Sequence, residues 1–198
     1  MAKLHFRYSA MNAGKSLSLL QVAHNYTEEL GKSVRIFTAV IDDRYGVGKV
    51  TSRLGPLSRD ADTFDAVFDF QDDYIQRGEV DCILVDEAQF LTHEQVCQLH
   101  ALAQCSGVPV MCFGLRTDYQ GRLFPGAASL LGLAEELEEL KTLCRCGKKA
   151  TMNMRVDSAG HMAINGPQIE IGGNAQYRQV CGRCFYAGRK ATLVKELT

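Results

Sequence analysis

Hydrophobic positions change period repeatedly along the first two thirds of the chain. LHFRY (4–8) alternates and carries aromatics, which predicts a strand. SLSLLQVAHNYTEELG (16–31) has helical spacing and ends at Gly31, a helix stop signal. SVRIFTAV (33–40) predicts a second strand, residues 41–56 a polar, glycine-bearing loop, and TFDAVFDFQDDYIQRG (63–78) a helix. VDCILVDEAQF (80–90) is a near-continuous apolar run ending in acids, the pattern of a buried parallel strand. Residues 91–107 predict a helix with Thr92 as N-cap, VPVMCFGL (108–115) another buried strand, and residues 129–140 an acidic helix or helix end. This alternation predicts an α/β fold, a parallel sheet with helices on both faces. The pattern breaks near Lys141, where short alternating stretches, glycines and cysteines replace it with little helical signal. The expected organisation is an α/β domain over 1–141, a small second domain over 142–192 and a tail over 193–198.

Composition narrows the class. With 198 residues, 46% hydrophobic and 23% charged, the chain suits a soluble globular protein of one domain with a small appendage. A net charge of −1 asks for neither nucleic acid nor an anionic membrane as partner. No apolar run approaches the ~20 residues of a membrane span. MAKLHFRYSAMN at the start lacks the apolar core of a signal peptide, so a cytoplasmic location is expected. The run EELEEL (135–140) reads as a solvated helix face ahead of a basic second part.

SAMNAGKS (9–16) lies between the first strand and the first helix. It ends as a phosphate-binding loop ends, and Ser9 replaces the first glycine of that pattern. In that reading the donor-side residues are Ser9, Ala10, Met11, Asn12, Ala13, Gly14, Lys15 and Ser16. Backbone N–H groups and the helix N-terminus cradle phosphates, Lys15 reaches the outer ones and Ser16 holds Mg²⁺. Serine is small and leaves a strand without positive φ, so the loop survives the change. The acids after CILV supply the second half. Asp86 stands where a carboxylate near Mg²⁺ belongs, and Glu87 beside it is placed to take a proton from an attacking hydroxyl or to orient a water. These residues alone leave a hydrolase and a kinase open. DEAQ also resembles helicase boxes, but such helicases need two α/β domains and this chain has room for one.

Eight cysteines fall into two groups. Cys82, Cys97, Cys105 and Cys112 stand singly and read as small core residues. Cys144 and Cys146, then Cys181 and Cys184, form two close pairs, the pattern of a tetrahedral Cys₄ site for structural Zn²⁺. Between them QIEI alternates and Gly172-Gly173 turns, so this stretch reads as a loop tied at both ends, suited to be a lid.

Together these residues resemble the zinc-containing (type II) thymidine kinases, closest to enterobacterial-type cytosolic members, which also carry SAMNAGKS. IDDRYG, LVDEAQF, GLRTDYQGRLFPG, the cysteine pairs and IGGNAQY extend the resemblance over nearly the whole chain. It implies a P-loop NTPase-like sheet with a zinc-ribbon-like C-terminal domain carrying a lid, or lasso, loop. The implied activity is transfer of the ATP γ-phosphate to the 5′-hydroxyl of thymidine, and of deoxyuridine, in deoxynucleotide salvage. Glu87 is then the general base. Arg44 and Asp42 stand near the phosphates, and Gln89 joins the donor-side set. Met11, Phe90, Leu115, Tyr119 and Phe124 line the thymine pocket. Gln168, Ile169, Glu170 and Ile171 close over the base through their backbone, and Tyr177 reaches the substrate. Asn153 takes the place of a threonine common in the family and is assigned no role. The resemblance further implies a homotetramer inhibited by thymidine triphosphate, with ATP, Mg²⁺ and structural Zn²⁺ as cofactors and no nucleic-acid or membrane partner.

Two other readings compete. A zinc-ribbon ATPase acting on nucleic acid would use a basic groove, for which Arg155, Arg178, Arg183, Arg189 and Lys190 are available though scattered. A non-catalytic nucleotide sensor would have no need of an intact Lys15, Asp86 and Glu87.

Overall fold

The structure, a computed structural model, describes residues 2–44, 46–158, 160–168 and 176–196. In chain order the first part comprises β1 (Leu4–Ser9), α1 (Lys15–His24), β2 (Val34–Ala39), β3 (Lys49–Thr51), β4 (Ser58–Asp60), β5 (Asp62–Phe64), α2 (Phe70–Arg77), β6 (Cys82–Val85), α3 (His93–Cys105), β7 (Val110–Leu115), α4 (Pro125–Leu133) and β8 (Glu136–Glu139). Then come β9 (Thr142–Leu143), β10 (Lys149–Ala150), β11 (Met152–Arg155), β12 (Tyr177–Val180) and α5 (Gly182–Glu196). Six strands form one sheet in the order β5-β2-β6-β7-β1-β8, and every pairing in it is parallel.

The central strands are apolar on both sides because both faces are covered. Ile83 and Val85 of β6 turn toward the core shared with α3 and α4, while Cys82 and Leu84 turn toward the one shared with α1. Phe37, Phe64 and Phe70 lock the β2–β5 edge, with Phe37 and Phe70 edge to face at 5.1 Å. Burying each such ring contributes about 1.5–3 kcal/mol. A separate core lies beyond Leu140, where Phe185 of α5 packs with Met154, Val156, Met162 and Val180. No helix among the described residues is long and apolar enough to cross a membrane.

Several expectations change. Residues 63–78 are not one helix: Thr63 and Phe64 belong to the edge strand β5, and the helix starts only at Phe70, where the Asp69 carboxylate accepts from the amides of Gln71 (2.9 Å) and Asp72 (2.8 Å). The loop 41–56 contains β3, which forms a hairpin with β4. The run 80–90 stops as a strand at Val85 and closes with a 3₁₀ turn at Ala88–Phe90. The acidic run is no helix: α4 lies earlier, and Glu136–Glu139 is an edge strand beside β1. Its glutamates are held by partners distant in sequence, Lys3 on Glu136, Arg7 on Glu138 (2.7 Å) and Lys149 on Glu139. After Lys141, α5 is a 15-residue helix that continues to Glu196, past the expected boundary at residue 192. Cys97 and Cys105 are exposed on α3, whose buried face is Gln95, Val96, Leu99, Leu102 and Ala103; of the four single cysteines, Cys82 and Cys112 are core thiols. Thr92 does cap α3, and the Gln95 side chain completes a capping box.

All six strands of the sheet run the same way, so their carboxyl ends share one rim, where ligands of open α/β sheets bind. β1, β6 and β7 deliver there the loop 9–16, the pair Asp86-Glu87 and the turn 116–123. The turn after β6 is wedged in place by α4. A Cβ on Gly126 would lie 2.5 Å from the Ala88 carbonyl oxygen and 2.8 Å from that of Leu91. We expect Gly126→Ala to cost about 1–3 kcal/mol in denaturant unfolding. A variant as stable as the parent would show that the turn is free to move.

Candidate active site

The chain leaves β1 at Ser9, which is buried. Its hydroxyl donates to the Ala10 carbonyl oxygen (2.8 Å) and accepts from Lys15 Nζ (3.2 Å). The left-handed turns of the loop fall at Asn12 (φ 60) and Gly14 (φ 80) rather than at Ser9, so no glycine is required at the entrance. Lys15 Nζ also donates to the Ala10 carbonyl (3.3 Å). Burial pushes the Lys15 ammonium below its usual range, while Glu87 and Asp86 oppose the shift. Ser16, in the first turn of α1, donates to Asp86 Oδ2 at 2.8 Å.

Asp86 is buried, and its other oxygen accepts from the Glu87 amide at 3.0 Å. Burial first, then the charge of Glu87, pushes its carboxyl up to about 7. A carboxylate in that position calls for a proton or a cation. Glu87 adopts φ 52, which turns its side chain off the strand line. Its Oε1 accepts from Arg44 Nη2 at 2.6 Å, and its Oε2 accepts from Gln89 Nε2. Arg44 also donates through Nε (2.5 Å) and Nη2 (2.8 Å) to Asp42, whose hydrogen bonds raise the guanidinium pKa further. Both Glu87 oxygens are thus aimed, and each keeps a lone pair for another donor.

Two clefts open here. The first, of about 630 Å³ including its mouth, is walled by Phe90, Leu115, Tyr119 and Phe124, with Met11, Gln168 and Tyr177 also lining it. The size and apolar walls suit one flat ring system. Phe90 and Phe124 meet edge to face at 5.8 Å. Tyr119 donates to the Gly166 carbonyl at 3.0 Å, and the Arg155 guanidinium lies 4.0 Å from its ring centre. The second cleft is lined by Met11 through Leu17, Asp86, Lys49 and Arg53. Asp42, Arg44, Glu87, Met11 and Leu115 line both.

The sequence-named pocket residues therefore gather at one rim, with exceptions: Ser9 and Ala10 are buried and line neither cleft. Gln89 belongs to the first cleft rather than the phosphate side, its Oε1 accepting from the Leu115 amide at 2.9 Å. Ile169, Glu170 and Ile171 lie outside the described residues. Sequence reasoning missed Thr117 and Asp118 on the first cleft and Lys49 and Arg53 on the second, and it left Asn153, which also lines the first, without a role. Asp118 is buried, takes the amides of Gln120 and Arg122 (2.8 Å each), and accepts from Gln168 Nε2 at 3.0 Å. The turn signal Asp-x-x-Gly at 118–121 could have found it.

The four paired cysteines converge. Their sulfurs all lie within 4.8 Å of one another, with Cys146 and Cys181 at 3.6 Å. Thiolates bound at ~2.3 Å around tetrahedral Zn²⁺ stand about 3.8 Å apart, so the donor set and spacing fit that ion. The backbone amide of Cys146 holds the Cys144 thiol down to about 6, while hydrogen bonds with the other three sulfurs, Cys146 foremost, push Cys184 up to about 12. Four such thiols ionise together only around a cation.

A family model described as thymidine kinase matches residues 2–185. Among curated proteins, the chain is similar to the thymidine kinase of Chromobacterium violaceum, 59% identical over 94% of this chain and 99% of that protein. It is 53% identical to the thymidine kinase of Idiomarina loihiensis over 91% and 94% of the two chains, and 50% identical to that of Haemophilus influenzae over the same shares. Among solved structures, Bacteroides Pif1 bound to ssDNA is similar at a TM-score of 0.38 and 16% identity, covering 70% of this chain and 38% of that one, too slight a likeness to carry any argument.

Metal content tests the cysteine cluster. The purified chain is expected to hold close to one zinc per chain, and Cys146→Ser with Cys184→Ser to lose it with a fall in melting temperature. An unchanged zinc content in that variant would contradict the assignment.

Proposed function

The chain belongs to the thymidine kinase family, and on that premise we propose how its residues carry the ATP γ-phosphoryl group to the 5′-hydroxyl of thymidine. The observation that carries the assignment is that Glu87 and Arg44 line both clefts. A base in the first and phosphates in the second bring acceptor and donor together at those two residues.

Thymine lies between Phe90, Leu115, Tyr119 and Phe124, which exclude water from its faces. Gln168 and Tyr177 complete its described surroundings. The ATP phosphates lie on the amides of residues 9–16, with Lys15 countering their charge. Ser16 and Asp86 would hold Mg²⁺, which, when bound, neutralises charge on the outer phosphates. Glu87 accepts the proton of the 5′-hydroxyl as that oxygen bonds to the γ-phosphorus. The bond from γ-phosphorus to the bridging oxygen breaks, and ADP leaves with that electron pair. Arg44, held by Asp42, keeps Glu87 oriented and faces the transferring group.

We assign residues 1–141 to the nucleotide-binding part, 142–192 to the metal-bearing part with its lid and 193–198 to a tail; the separate apolar core around Phe185 supports the middle division. The zinc is structural, since four thiolates leave no open position. Deoxyuridine fits the same cleft. Thymidine triphosphate would fill the first cleft with its base and the second with its phosphates, which makes it a feedback inhibitor. A cytoplasmic homotetramer in deoxynucleotide salvage agrees with the family resemblance.

Incubation with Mg-ATP and each of the four deoxynucleosides is expected to give thymidine monophosphate as the dominant product. Glu87→Gln should lower kcat by about 10²–10⁴-fold with little change in the KM for thymidine. ATP hydrolysis that appears only with nucleic acid, and no monophosphate, would overturn the assignment.

A further inference from the structure

Met11 and Asn12, at the entrance of the phosphate loop, are held by side chains of the metal-bearing segment. Asn153 on β11 and Gln179 on β12 are direct partners in the antiparallel register, so their side chains leave the same face of the ribbon. Asn153 Oδ1 accepts from the Met11 amide at 2.8 Å, and Gln179 Oε1 accepts from Asn12 Nδ2 at 3.0 Å. Thr142 on β9 donates through its hydroxyl to the Asn12 carbonyl oxygen at 3.2 Å. Each of two of these strands leads straight into the cluster: Cys144 follows Thr142 by two residues, and Cys181 follows Gln179 by two. From the other side, Arg53 donates to Asn12 Oδ1 at 2.6 Å.

This attention falls on a residue that needs it. Asn12 is one of two non-glycine residues with positive φ among those described. An asparagine tolerates that conformation but does not enforce it. Asn153 is buried, and its Nδ2 donates to the Thr117 carbonyl at 3.1 Å, so its amide is committed on both sides. Gln179 and Thr142 line neither cleft. Whatever they contribute to nucleotide binding passes through the loop.

We propose that Asn153, Gln179 and Thr142 are positioning residues for the phosphate donor: strands anchored by the cysteine cluster hold Met11 and Asn12 in the shape that receives the ATP phosphates, so that metal occupancy and donor affinity are linked. The inference rests on the reading of residues 9–16 as the ATP site. Linkage makes the effect reciprocal: zinc tightens the donor, and the donor tightens zinc.

Asn153 borders the base cleft and its loss would mix two effects, so the test uses Gln179→Leu combined with Thr142→Val in the zinc-loaded full chain. The readouts are the calorimetric Kd of a non-hydrolysable ATP analogue with Mg²⁺, the KM values of ATP and thymidine, the zinc content and the melting temperature. Donor Kd and KM should rise about tenfold, with the thymidine KM within about twofold and zinc retained. Gln179→Glu, which keeps an acceptor for Asn12 Nδ2, should restore most of the loss when it replaces Gln179→Leu in that pair. Stripping zinc should weaken analogue binding in the parent and weaken it less in the double variant. Donor affinity equal to the parent's, or donor and thymidine KM rising by the same factor, would overturn the linkage. A zinc-loaded parent that binds no analogue would overturn instead the ATP-site reading beneath it.

Discussion

Asp86 and Glu87 leave the carboxyl end of β6 side by side, one sealed against Ser16 and the other swung by a left-handed backbone toward Arg44. Two adjacent carboxylates in a partly buried rim repel each other, and only the surrounding cations and donors make the pair tenable. Lys15, Arg44 and Gln89 do this, and each is fixed by a different element: the loop after β1, the segment after β2 and the 3₁₀ turn after β6. The arrangement therefore needs a parallel sheet whose strand ends converge, and it needs α4 close enough to pin the turn, which Gly126 permits.

The segment that carries the four clustered cysteines is a wall of the site as well as an appendage. Arg155, one of the basic residues that a nucleic-acid groove would use, is instead mostly buried, stacked on Tyr119 and bonded to the Asn165 carbonyl at 2.9 Å. Further along, the Gly166 carbonyl accepts from Tyr119 and Gln168 donates to Asp118, and Tyr119 and Asp118 both line the first cleft. A module drawn together around four converging cysteines can thus supply one side of a small-molecule pocket without a large core of its own.

The sheet centre was legible because β6 and β7 are near-continuous apolar runs, the pattern of strands covered on both faces. The cap at Thr92 was legible because its chemistry is local. The acidic strand β8 was not, since glutamates have poor strand propensity and its position comes from β1, Lys3, Arg7 and Lys149, partners distant in sequence. Nor was α5, whose first turn is disguised by the cysteine spacing that marks the metal site. Of the site, Lys15, Ser16, Asp86, Glu87 and the cysteines could be read from motifs. The aromatic pocket came from family resemblance, and the role of Asn153, which ties Met11 to Thr117, was not legible because its partners are backbone atoms brought near only by folding.

In the proposed reaction, donor and acceptor occupy two clefts that meet at Glu87. A crystal structure with thymidine joined through its 5′-oxygen to adenosine by a chain of phosphates tests this most directly. The expected structure has the base between Phe90, Leu115 and Tyr119, the phosphates along residues 9–16, and the thymidine 5′-oxygen within hydrogen-bonding distance of the Glu87 carboxylate. A base bound outside the first cleft, or a 5′-oxygen beyond the reach of Glu87, would contradict it.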